Sequence, residues 1–90
     1  MERAVITVLG KDKVGIIATV SRILAESNVN ILDISQTLMQ DVFTMIMLTD
    51  ITGSNIPFSE LADRLEAAGR ELGLYIKIQH EDIFNSMHRI

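Results

Sequence analysis

The run from Val42 to Ile51 constrains the fold more than any other stretch of this chain. Side chains of a strand alternate between its two faces. Here Val42, Thr44, Ile46 and Leu48 fall on one face and Phe43, Met45, Met47 and Thr49 on the other, so both are mostly apolar. A strand of that kind belongs inside a sheet, with cover on each side. Ala4-Val5-Ile6-Thr7-Val8-Leu9, rich in β-branched residues and ending at Gly10, has the same character. Two strands therefore need neighbours on both edges.

The segments between and around them supply those neighbours. From Val14 onward, Ile16, Ile17, Val20, Ile23 and Leu24 fall on one helical face, while Ser21, Arg22 and Glu26 take the other. Ser27 and Asn28 break that pattern, and Val29 to Met39 reads as a strand joined to the 42–51 strand by a hairpin through Gln40-Asp41. Thr52-Gly53-Ser54-Asn55 is turn chemistry, and Pro57 suits a first helical position, where its missing N–H costs nothing. Phe58, Leu61, Ala62, Leu65, Ala68 and Leu72 form the apolar stripe of a second helix, stopped by Gly73. Leu74 to His80 is a fourth strand.

The order strand, helix, strand, strand, helix, strand predicts an α+β, ferredoxin-like βαββαβ sandwich. Right-handed crossovers put both helices on one face of a four-stranded antiparallel sheet, with the first and third strands inside and the second and fourth at the edges. The two halves echo one another, each carrying a helix end directly into a strand at Ile23–Ile31 and Arg70–Ile76. One face of such a sheet stays bare, and a second copy of the chain is the simplest cover for that face or for an exposed edge.

Composition narrows the function. Ninety residues, 48% apolar and 22% charged, make one folded domain with one core. Eight basic against twelve acidic side chains leave a net charge of −4, which argues against nucleic acid as a partner. The longest apolar run, Ala4 to Leu9, is far short of the roughly 20 residues that cross a bilayer. Met1-Glu2-Arg3 leads into it without a signal-peptide pattern, so the cytoplasm is the expected location.

Between the first strand and first helix stands Gly10-Lys11-Asp12-Lys13-Val14-Gly15-Ile16. Asp12 is placed to cap the helix by accepting from the N–H of Val14 or Gly15, and Gly15 lets a ligand approach the first turn without meeting a Cβ. A helix start with unpaired N–H groups suits a carboxylate or phosphate. Read physically, the same residues serve equally as a plain cap and a packing glycine.

With Gly10, Asp12, Gly15 and Ile16 in that loop, and Asn28, Asn30 and Ile31 entering the second strand, the chain resembles the ACT domain family, which carries G-x-D-x-x-G-[IL] and N-x-N-I at these places. The resemblance spans Arg3 to Asp82 by element order; many members have proline where Val14 stands. It implies an amino acid or similar metabolite bound where the first loop of one subunit meets the second strand of its neighbour, in a homodimer that serves a metabolic enzyme or regulator. Gly10, Asp12, Gly15, Ile16, Asn28 and Asn30 become the implied ligand-binding residues. The particular resemblance is to small proteins made of one ACT domain and to the amino-terminal domains of glycine-cleavage regulators and formyltetrahydrofolate deformylases. The alternative is a protein-interaction module with no ligand of its own.

Other chemistries lack their residues. There is no cysteine, and His80 and His88 stand in no constellation of nucleophile, base and orienting group, so neither catalytic residues nor a cofactor is expected. His80-Glu81-Asp82 offers no second histidine at ligand spacing, so no metal site is expected. An RNA-recognition domain shares the element order, yet the first strand has no aromatic residue and the third only Phe43 to stack bases. The domain is expected to span residues 1–82. In the remaining tail, residues 83–90, Ile83, Phe84, Met87 and Ile90 fall on one side of a helical turn suited to dock on the domain or across the dimer.

Overall fold

The computed structural model describes residues 1–87. Its elements run β1 (Arg3–Lys11), α1 (Ile16–Glu26), β2 (Asn30–Met39), β3 (Val42–Asp50), α2 (Phe58–Leu72), β4 (Tyr75–His80) and α3 (Glu81–Met87). The sheet order β2-β3-β1-β4, antiparallel throughout, places the two doubly apolar strands inside. The ferredoxin-like arrangement expected from the pattern is the one found.

The covered face of the sheet holds the core. Ala4, Ile6 and Val8 of β1, Met45 and Met47 of β3, and Ile76 and Ile78 of β4 meet Val20 and Leu24 of α1 and Leu61 and Leu65 of α2. Each of these side chains larger than Ala4 contributes about 1.5–3 kcal/mol by leaving water. Thr49, fully buried among them, donates its hydroxyl to the carbonyl of Ala4 at 2.8 Å. The opposite face is bare in this chain: Leu9, Val42 and Ile46 are each about two-fifths or more exposed. Val5 is the exception, buried at the end of the sheet, where α3 packs against β1 and β4.

Both long helices end in the same way, which is the physical content of the echo between the halves. Asn28 (φ 58°) and Gly73 (φ 70°) take the left-handed conformation, and each begins a Schellman closure. Asn28 donates its N–H to Ala25 and Val29 donates to Leu24; Gly73 donates to Arg70 and Leu74 to Gly69.

The strand and helix limits differ from the sequence reading where tertiary pairing decides them. β1 continues through Gly10 and Lys11 because these pair with Phe43 and Val42. Pro57 sits just outside α2 rather than at its first position; its carbonyl accepts from Glu60 and Leu61, and its extended ψ of 153° keeps it off the helix. Helical structure in the tail begins at Glu81 rather than Ile83. The Met87 side chain and Ile90 lie outside what the structure describes.

Candidate functional site

The loop from Lys11 to Gly15 is held from two sides. Asp12 donates its backbone N–H to the carbonyl of Asp41 in the β2–β3 hairpin, at 2.9 Å. On the other side a Cβ at Gly10 would fall 2.5 Å from Leu74 Cδ2, so the bare glycine lets the α2–β4 turn close against β1. Lys13 reaches the same turn: its Nζ lies 3.7 Å from where a Cβ on Gly73 would stand. An ammonium there complements the carbonyl-rich end of α2.

Asp12 does not cap α1. The residue at the cap position is Gly15, in the left-handed region at φ 95° and ψ 0°, and no side chain bonds to the helix start. The physical reason is that Gly15 turns the chain only at the last step, so α1 begins at Ile16 and Asp12 stays out at the exposed hairpin. The carbonyl of Gly15 accepts from Thr19, while the N–H groups of Ile16, Ile17 and Ala18 precede any residue that could accept them within the helix. No acidic side chain occupies the first turn. No atom lies within 4 Å of a Cβ built on Gly15, so this glycine answers a conformational demand and leaves open space. Val14 beside it is 99% exposed. Among the described residues, Lys11 and Lys13 enter no ion pair, so the loop's charge is net positive.

The remaining implied residues lie elsewhere. Ile16 points into the core and offers only its backbone to a ligand. Asn28 ends α1, and its side-chain amide donates to the carbonyl of Gly53 at 2.9 Å. The same loop returns from Asn55, whose backbone N–H reaches Ser27 and whose side chain reaches the carbonyl of Glu26. Asn30 opens β2, exposed, opposite Asp50. Gly10 lies opposite Phe43, seven residues away along β3, so about 23 Å of strand separates the two groups at roughly 3.3 Å per residue. Within one chain, Gly10, Asp12 and Gly15 come together, and Asn28 and Asn30 stand at the far end.

Lys13, Val14, Asp41 and Asn55 were missed by sequence reasoning. The first two lay inside the motif itself. The bonds of Asp41 and Asn55 depend on contacts that no local pattern encodes.

Three surface depressions, of about 480, 390 and 230 Å3, are lined by none of the six implied residues. Among the described residues no cluster of His, Asp or Glu could hold a metal ion, and no helix is long and apolar enough to cross a membrane.

A four-stranded antiparallel sheet with paired helices on one face defines the ferredoxin-like class of α+β domains. Residues 2–79 match the ACT domain family, and the chain belongs to it. A UPF0237 protein of Clostridium acetobutylicum is 61% identical over 88 residues, 98% of this chain and 99% of that one. An ACT domain protein from Streptococcus pneumoniae superposes with a TM-score of 0.79 at 43% identity, covering 92% of this chain and 93% of that one. The regulatory subunit of aspartate kinase from Thermus thermophilus, in its ligand-free form, shares the fold with a TM-score of 0.67 at 24% identity, over 87% of this chain and 50% of that one.

Proposed function

We propose that this chain is a regulatory sensor that works as a homodimer and binds an amino acid or related carboxylate metabolite between subunits. The observation that carries the reading is Gly15: a left-handed residue opening α1 with no side-chain cap, no acid in the first turn and empty space where a Cβ would stand. A carboxylate set there would accept from the free N–H groups and meet the positive end of the helix.

The edge strand β2 supports the dimer, since its Ile34 and Leu38 share the helix-side face and are 41% and 57% exposed. Asp33 is the only charged residue on that strand, so the usual protection of an edge is thin. Antiparallel pairing of β2 with a second copy, centred on Gln36, sets Ile34 against the partner's Leu38 and Leu38 against the partner's Ile34. The same pairing carries the partner's Asn30 to the hairpin end, beside Asp41 and the loop that Asp41 holds. The ligand shell separated within one chain is then assembled across two. On this reading the chain recognises a metabolite and does no chemistry on it, and its likeness to an aspartate kinase regulatory subunit supports a partner among metabolic enzymes.

Light scattering at micromolar concentration and a thermal-shift panel of amino acids, purines and folates test this together. A dimer stabilised by one ligand class is expected, with Gly15→Asp folded and unresponsive. A monomer, or an unchanged response in Gly15→Asp, overturns it. A dimer that no compound stabilises favours the interaction module without a ligand of its own.

A further inference from the structure

The opposite edge of the sheet has a different construction. Among the described residues β4 pairs with β1 on one side only, so alternate residues of its 75–78 stretch turn their N–H and C=O outward. Unlike β2, this edge has a wall. Gly69 is buried against the strand, where a Cβ would lie 2.8 Å from the Leu74 carbonyl oxygen and 3.1 Å from Ile76 Cγ1, so α2 runs close alongside β4. The trough between them, about 390 Å3, is lined by Leu74 and Ile76 below, Glu66 and Arg70 on the helix, and Tyr75 and Lys77 on the strand's other face.

We propose that this trough accepts an extended, acidic segment of a partner protein as a fifth strand. An open edge flanked by a helix is the geometry of strand addition: the ladder supplies affinity and alternate side chains supply selectivity. The charges select the partner. Arg70 and Lys77 flank the trough from opposite faces of the incoming strand, and among the described residues neither is in an ion pair. Glu66 is the single acid of the lining, in a chain whose net charge is −4. Acidic side chains on the added strand would therefore meet a cation on each face, while an apolar side chain would settle on Leu74 and Ile76. The half-exposed Tyr75 extends that apolar contact over the rim.

The test uses 15N-labelled full-length protein and three capped hexapeptides: Glu-Glu-Val-Ile-Glu-Val, which carries acid on both faces of a strand, its counterpart with Lys for Glu, and the acidic sequence with Pro-Pro for Val-Ile. The first should shift the amide resonances of Tyr75–His80 and of Glu66 to Arg70, saturating near or below about 1 mM. The lysine peptide should bind at least about tenfold more weakly, and the proline peptide, in which one of the two neighbouring prolines must fall on the ladder side without a donor, should not bind. Arg70→Glu combined with Lys77→Glu changes two exposed side chains and should invert the preference between the first two peptides. Equal binding of acidic and basic peptides, binding of the proline peptide, shifts mapping to Asn30–Met39, or no shifts at all would each overturn the proposal. So would line broadening at β4 that rises with protein concentration alone, because the occupant would then be a second copy of the chain.

Discussion

Replacing Gly69 by alanine sets two effects against each other, and the structure says which wins. In an exposed helix interior the change stabilises by about 0.8–1.0 kcal/mol, because alanine loses less backbone freedom on folding. Gly69 is not exposed: its added Cβ would stand 2.8 Å from a backbone oxygen of Leu74, and 3.1 and 3.4 Å from Ile76 side-chain carbons. The residue is also pinned, since its own carbonyl accepts from Leu74 N–H at 2.7 Å in the closure that ends α2. Neither the turn nor the buried Ile76 can retreat without disturbing β4. Overpacking of this kind costs about 1–3 kcal/mol. The net expectation is a loss of about 1 kcal/mol, or roughly 4–8 °C in Tm for a domain of this size. Urea unfolding followed by circular dichroism measures it. A Gly69→Ala protein as stable as the parent, or more stable, would refute the close apposition of α2 and β4.

Ser27 is completely buried and its hydroxyl has no hydrogen-bond partner among the described residues, so Ser27→Ala should raise stability by about 1 kcal/mol in the same urea assay. Hydrogen bonds from the Thr52 side chain and backbone hold the Asp50 carboxyl below its ordinary range. A depressed carboxylate stabilises above its unfolded pKa and loses that contribution as pH falls through the folded one. Thermal melts between about pH 5 and pH 2 should therefore show a shallower acid decline for Asp50→Asn than for the parent. Truncation after Asp82 removes Ile83, half exposed, and Phe84, partly buried, from a helix packed on β1 and β4. A fall of several degrees in Tm, or a shift toward monomer by light scattering, is expected; unchanged melting and association would mean that the tail has no structural role.

The arrangement of elements was legible because burial dictates pattern. Phe43, Met45 and Met47 alternate with Val42, Thr44 and Ile46 only if β3 is central, and Leu61 and Leu65 recur at helical spacing only if α2 lies on the sheet. The candidate site was legible in its glycines and not in its acid. Gly15 answers a local demand on φ, which a motif records; the place of Asp12 depends on Asp41, a neighbour 29 residues away. Asn28 shows the same limit. Its left-handed turn is local, while its bond to Gly53 joins two loops whose sequences carry no sign of each other. The trough along β4 was invisible for a related reason, since nothing around Gly69 announces how near the strand comes.

The three bonds that Gly53 and Asn55 share with the end of α1 make that helix a lever with a fixed fulcrum. Its eleven residues span about 16 Å, clamped at Asn28 and uncapped at Gly15. A tilt of about 5° would carry the Gly15 end some 1.4 Å, and the clamped end hardly at all, on that length. Displacement is therefore greatest at the Gly15 end and least at the loop that leads into α2. That moving end carries Ile16 and Val20, which pack in the core, and follows the loop that the Asp12–Asp41 bond ties to the β2–β3 hairpin. The end of α1 that is free to move is thus the end that stands nearest the β2–β3 hairpin.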